Sequence, residues 1–223
     1  MLRVLLYVLW KKVGAYMDLF SKTKSKEQPQ QPKNWKQALF QDLDVIYVFV
    51  VFMLVYLLLF RVVVVTGSSM NQTLLDGDML LLVSNTVYRD PHQGDIIVAS
   101  KDSFRHGECI VKRVIATEGQ VVDIDFENRL VYVDGQPLEE SYAFFAVDDP
   151  RPMVQSGVIF PQTVPEGCVF VMGDNRNDSL DSRSPSIGFL DEREILGKAI
   201  LLFFPGTDGG YVPRDYTRIG GLN

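Results

Sequence analysis

Hydrolytic chemistry at neutral pH needs a nucleophile and a base, and this chain offers few conventional bases. Its two histidines, His92 and His106, lie in polar or Gly-containing loop contexts with no local motif around them. There is no HExxH, no Walker loop and no GxGxxG, so metal hydrolysis and nucleotide chemistry lack their usual signatures, and no metal or cofactor is expected. Cys109 and Cys168 form no CxxC and no Cys/His pattern of metal-ligand spacing. They read as two buried thiols, with a disulfide left open. A Ser/His/Asp triad through either histidine stays open, and a lysine is another residue type that can serve as base. It acts near neutral pH only if its reference pKa of about 10.4 falls by several units, which apolar neighbours that exclude water bring about. Lys112 lies in the apolar run Cys109-Ile110-Val111-Lys112-Arg113-Val114-Ile115-Ala116, where Val111 and Val114 could exclude water. An edge-strand lysine facing water is the competing reading. Two further segments stand out: Gly67-Ser68-Ser69-Met70-Asn71-Gln72-Thr73-Leu74, with a serine pair after a glycine, and the stretch of acids and arginines Met172-Gly173-Asp174-Asn175-Arg176-Asn177-Asp178-Ser179-Leu180-Asp181-Ser182-Arg183. By themselves they read equally as a turn and as a solvated loop.

The elements that must position these residues fall into two kinds. From 45 to 60 every residue is apolar or aromatic, and after Arg61 the run resumes to 65, a length of about 20 residues that suits a transmembrane helix at 44–65. The basic flank, with Lys22, Lys24, Lys26, Lys33 and Lys36, places residues 1–43 in the cytoplasm and 66–223 outside. Residues 2–10 are apolar but too short to span, and read as an interfacial helix. Membrane lipid is therefore one expected partner. Beyond 66 the chain shows short β-rich runs at 79–84, 95–100, 109–116, 121–126, 130–133, 169–172 and 199–204, punctuated by Gly, Asp and Pro, which is the pattern of a mainly β domain. The pair of runs around Glu127-Asn128-Arg129 reads as a hairpin, Asp134-Gly135 as a turn, and residues 134–165 as an insertion or long loop. The net charge of −6 is carried after the basic N-terminus, with no Lys/Arg cluster beyond Lys36, which argues against a nucleic-acid partner.

Taken together and in this order, the three segments resemble the boxes of the bacterial type I signal peptidases (leader peptidases), serine peptidases with a Ser/Lys dyad. The resemblance runs from the apolar segment to the strand ending at Pro205, hence over most of the chain. It implies a mainly β, signal-peptidase-like domain of coiled antiparallel sheets behind a transmembrane helix, in the bacterial plasma membrane. It implies Ser69 as nucleophile, Lys112 as general base, and Ser179 hydrogen-bonded to the lysine amine. Asp174 would pair with Arg113, and Asp181 with Arg183. Gly67 stands where some relatives place an oxyanion-stabilising hydroxyl, and as glycine it has no side chain to donate. The implied substrates are signal-peptide-bearing preproteins delivered near the secretion translocon and cut after a small-x-small motif. They would bind as an added strand against Val65, Thr66, Ile110 and Val111. The chain departs from the family at Gln72, where Pro is usual, and at Asn177-Asp178, where the order is usually reversed. The alternative is a non-catalytic anchored β domain that binds exported chains.

Overall fold

The computed structural model describes residues 35–101, 107–145, 153 and 157–222, and within its first helix the side chains of Leu43 and of residues from 45 onward. The basic segment up to residue 34, the apolar residues 2–10, His106 and most of the middle of 134–165 lie outside the described residues. The chain divides into two compact units, Met1–Leu57 and Leu58–Asn223.

The first unit contributes most of helix α1, Trp35–Leu59. No helix among the described residues is long and apolar enough to cross a membrane. The apolar run read as one span at 44–65 is divided, because α1 ends at Leu59 and Phe60–Val64 is a β-strand. Hydropathy does not distinguish these two halves, but side-chain shape does. The second half is rich in valine, whose branched Cβ is stiff in a helix and suits a pleated strand. Antiparallel pairing from Phe60↔Val83 to Val64↔Met79 then engages the edge of it that faces β2.

The second unit is built on strands β1 (Phe60–Val64), β2 (Met79–Ser84), β3 (Ile96–Ser100), β4 (Cys109–Ala116), β5 (Val121–Asp125), β6 (Leu130–Val133), β7 (Gln136–Pro137), β8 (Gln162–Thr163), β9 (Cys168–Met172), β10 (Leu190–Asp191), β11 (Ile195–Phe204) and β12 (Gly220–Gly221). Eight form one sheet in the order β1-β2-β11-β3-β4-β9-β10, with β12 also on β11, and four form a smaller one, β7-β6-β5-β8. Every pairing between these strands is antiparallel.

Strand β3 shows why the large sheet holds together. Ile96 and Val98 enter one core with Met70, Leu74, Leu80 and Leu82, while Ile97 and Ala99 enter another with Ile110, Val114, Val169 and Val171. A strand covered on both faces must be apolar at every position, as Ile96-Ile97-Val98-Ala99 is. The small sheet is one-sided: Val122, Ile124, Val131 and Val133 are buried and meet Ile115, Phe170 and Met172 of the large sheet, while Asp123 faces solvent. In the β5–β6 turn, Asp125 accepts from the backbone N–H of Glu127 and Asn128. Asp134 and Gly135 both take positive φ, 52° and 75°, as a two-residue hairpin into β7 requires. The stretch 134–165, read as an insertion or loop, re-enters the small sheet at both ends through β7 and β8, and Met153 is buried in the core beneath it.

Candidate active site

Lys112 occupies a position that its strand otherwise gives to core residues. Ile110, Lys112 and Val114 share one face of β4, and Ile110 and Val114 are buried in the same core. The lysine is correspondingly only 4% exposed, whereas an edge lysine facing water would be open. Its Nζ donates to Ser69 Oγ at 2.7 Å and to the carbonyl of Val111 at 3.0 Å. Burial disfavours the charged amine and brings its pKa down from 10.5 to about 8. The carboxylates of Asp181 and Asp174 oppose this, and Arg183 adds to it. A neutral amine is thus accessible at mildly alkaline pH, in contact with a hydroxyl.

Ser69 lies in the turns between β1 and β2. The loop is closed at its base by Val65 N–H to Asp78 O at 2.8 Å and Gly77 N–H to Val65 O at 2.9 Å. Gly67 takes φ +92°, and its N–H is committed to Asp76 Oδ1 at 2.8 Å, so it directs no donor toward Ser69. Ser68 Oγ donates to Asp178 Oδ2 at 2.7 Å.

The acid- and arginine-rich segment is largely buried. Asp174, Arg176, Asp181 and Arg183 are each 2% exposed or less. Arg113 donates to Asp174 through Nε at 2.9 Å and Nη2 at 2.7 Å, and Thr73 Oγ1 donates to the same carboxylate at 2.6 Å. Asp174 therefore ties the strand of Lys112 to the loop of Ser69. Asp181 accepts from Arg183 Nε and Nη2 at 2.8 and 2.7 Å, from Gly173 N–H at 2.9 Å and from Ser179 Oγ at 2.7 Å. Burial alone would raise the Asp181 pKa, but the Arg183 guanidinium and these donors hold it below the usual carboxylate range. Ser179 thus spends its proton on Asp181, a charged and stronger acceptor than an amine in this setting. Among the described residues the lysine amine bonds Ser69 and Val111, where an Ser179 partner was expected.

Several contacts had no counterpart in the sequence reading. Asn175 holds the Ser69 loop through its N–H to Ser69 O and its Nδ2 to Ser68 O, both at 3.1 Å. Arg176 forms a two-pronged ion pair with Glu140, and Tyr142 lies beneath the Arg113 guanidinium, 4.0 Å from its ring centroid. The dense acids and arginines of the segment advertise such pairing, but Glu140 and Tyr142 carry no local signal. Replacing Asp174 by asparagine removes the charge that Arg113 and Thr73 share. It should lower stability by about 2 kcal/mol and turnover by about tenfold, checked by thermal melting and peptide cleavage side by side. Unchanged melting and turnover would deny Asp174 that linking part.

A cleft of about 650 Å³ opens over Ser69 and Lys112, lined by 63–70 on one side, by 108–112 on another and by 177–180. Val65 and Ile110 reach it but are otherwise buried in core, while Thr66 and Val111 are more open to it. Val64 and Leu180, 57% and 41% exposed, also line it. Strand β9 pairs β4 only from Arg113 to Ala116, and no described strand pairs the same edge at Cys109–Lys112. Both cysteines are free thiols, Cys109 exposed at the cleft and Cys168 half-buried. His92 is exposed beside Asp90, at 3.8 Å.

Residues 39–204 match the family model described as signal peptidase, peptidase S26. The protein named "Probable signal peptidase I-1" of Synechocystis sp. is 39% identical over 153 residues, 66% of this chain and 72% of its own length. The signal peptidase I of Bacillus licheniformis is 32% identical over 184 residues, 79% of this chain and 94% of its own. A crystal structure of a signal peptidase I from Enterococcus faecalis is 30% identical, covering 49% of this chain and 96% of that one, with a TM-score of 0.39. A match over most of the sequence, joined to relatives aligned along most of theirs, assigns the chain to the signal peptidase family, peptidase S26, and with it to the serine endopeptidases.

Proposed function

We propose that this chain removes signal peptides from exported preproteins with Ser69 as nucleophile and Lys112 as general base. The observation that carries the reading is the buried amine of Lys112 at 2.7 Å from Ser69 Oγ. The neutral amine takes the Ser69 proton as Oγ attacks the scissile carbonyl, giving a tetrahedral intermediate whose oxyanion meets the Ser69 backbone N–H. Collapse expels the amine of the mature protein, which takes the proton from the Lys112 ammonium. Water, deprotonated by Lys112, then hydrolyses the ester, and the signal peptide leaves with a free carboxylate.

The substrate lies extended in the cleft, pairing with the open edge of β4 near Cys109–Lys112, with its small residues before the cut set against Val65, Thr66, Ile110 and Val111. The same reading puts the apolar length that starts at Val45 in the bacterial plasma membrane as a single anchor, with the Lys-rich N-terminus cytoplasmic and the catalytic domain outside, near the translocon. Sharing a bilayer with the substrate's apolar segment raises its effective concentration at the site.

The pH profile tests the lysine base. The detergent-solubilised chain, given a preprotein with an Ala-x-Ala site, should cut after the second Ala. Its kcat should rise tenfold per pH unit below an apparent pKa near 8 and level off above it. A rate independent of pH from 6 to 9 would remove Lys112 as the base, and absence of any cleavage would favour the binding-only alternative.

A further inference from the structure

We infer that Arg218, in the C-terminal segment beyond the family-matched residues 39–204, is a positioning residue that holds the Ser69 loop in register with Lys112. The inference rests on the reading of Ser69 as nucleophile. Arg218 lies in a short turn, Tyr216–Arg218, whose start is capped by the Asp215 side chain accepting from Thr217 N–H at 2.9 Å. Just after it, β12 pairs with Leu201 and Leu202 of β11, and Leu222 N–H donates to Ile200 O at 3.1 Å. The turn is therefore fixed to the large sheet on the side that leads away from the catalytic segments in sequence.

The guanidinium reaches two points of the loop at once. Its Nη1 and Nη2 donate to Asp78 Oδ1 and Oδ2 at 2.9 and 2.6 Å, and Nη2 also donates to the Thr73 carbonyl at 3.2 Å. Asp78 is fully buried and organises the base of the loop: its carboxylate accepts from Leu75 N–H at 2.8 Å and Gly206 N–H at 2.6 Å, and its carbonyl accepts from Val65 N–H. Thr73 is consequently gripped twice, by Asp174 through its hydroxyl and by Arg218 through its carbonyl. One grip comes from the segment that also braces the strand of Lys112. The other comes from the C-terminal segment, which supplies no group to the reacting atoms. Only a planar fork with several donors spans a carboxylate and a carbonyl together, which a lysine ammonium does not. Without the second grip the loop keeps its closing bonds but gains freedom between Thr73 and Asp78, and with it the four-residue reach to Ser69. A misplacement of about 1 Å in such a geometry costs on the order of a hundredfold in rate.

The test compares wild type, Arg218→Ala and Arg218→Lys as full chains in detergent, with Ser69→Ala as control, each followed by thermal melting and by peptide cleavage. Arg218→Ala should lose about tenfold or more in kcat with KM changed by less than about twofold. The acid limb of its pH profile should stay near 8, because the burial that sets the Lys112 amine is untouched. Guanidinium ion at non-denaturing concentration should restore much of the lost kcat in Arg218→Ala and none in wild type, since the Arg218 side chain is 20% exposed and its place is reached from solvent on one side. Arg218→Lys should fall between the two. Folded Arg218→Ala with kcat within twofold of wild type would overturn the inference, as would a loss in kcat that guanidinium leaves unmoved. If Arg218→Ala does not fold, wild-type kcat in folded Arg218→Lys overturns it and a several-fold deficit supports it. In every case inactive Ser69→Ala keeps the underlying reading, whereas active Ser69→Ala removes that reading itself.

Discussion

Replacing Lys112 by methionine should lower turnover of a preprotein by at least about a thousandfold while making the folded chain more stable near neutral pH. The activity loss follows from chemistry: at pH 7 a serine hydroxyl is a poor nucleophile, and in sites where nucleophile and base act as a unit, losing either costs about as much as losing both. Ser69→Ala should accordingly be as inactive as Lys112→Met, and the double variant no worse than either. The gain in stability follows from burial. Lys112 shares its strand face with the core residues Ile110 and Val114, and its pKa is lowered from 10.5 to about 8, so a protonated amine in the folded state costs about 3 kcal/mol relative to the unfolded chain. The unfolded state holds the proton more tightly. That cost is therefore fully present below pH 8 and is relieved as pH rises from 8 to 10.5, where the unfolded chain still binds a proton that the folded one has released. Methionine is of similar length and apolar, and removes the dependence. Thermal melts of wild type and Lys112→Met between pH 6 and 11 would show the two curves converging as pH rises. A variant that is less stable than wild type at pH 7 would mean that the amine is not held against its desolvation, and the lowered pKa could not then supply the base.

What was legible in the sequence and what was not divides along a physical line. Strands β2, β5 and β6 were readable because their burial depends on side chains two residues apart, as in Val122 and Ile124 or Val131 and Val133, and β3, β4 and β9 because strands covered on both faces are short, nearly continuous apolar runs. Strand β1 was not, since Phe60–Val64 prolongs an apolar helix with Arg61 as its single polar residue, and the pairing to β2 that makes it a strand has no local signature. The two-residue strands β7, β8, β10 and β12 are too short to carry any period. In the site, the resemblance pointed to Ser69, to Lys112 and to the pairs of the acidic segment, and chemistry added that such a lysine must be shielded from water; Lys112 lies within hydrogen-bond reach of Ser69, Arg113 of Asp174 and Arg183 of Asp181. The bonds that brace them from outside the three segments were invisible for a common reason. Arg176 meets Glu140 across 36 residues and Arg218 meets Asp78 across 140, distances at which sequence keeps no register.

Gly173 is the position where the site tolerates least change, and Gly173→Ala should abolish cleavage and destabilise the fold by at least about 3 kcal/mol. A Cβ there would lie 2.2 Å from Ser179 Oγ, 2.6 Å from Ser179 Cβ and 2.4 Å from the backbone oxygen of Ser69. Moving a flexible side-chain tip relieves such overlaps cheaply, but none of these is one. Ser179 is held by Asp181, which also accepts from Gly173 N–H and is locked to Arg183, and all of that network is buried. The Ser69 carbonyl accepts from Asn175 N–H, two residues along from the glycine. An added methyl must therefore push the Ser69 backbone away from the segment that carries Asp174 and Asn175, and with it draw Oγ off the Lys112 amine. Both effects share a cause, so they should be separable by relief elsewhere: Ser179→Gly in the Gly173→Ala background removes two of the three overlaps and leaves the Ser69 one. If the double variant regains melting temperature but stays inactive, the contact with the Ser69 backbone is what positions Ser69 for cleavage. A folded Gly173→Ala with wild-type turnover would mean that the loop shifts freely, and close approach at 173 would then have no part in holding Ser69.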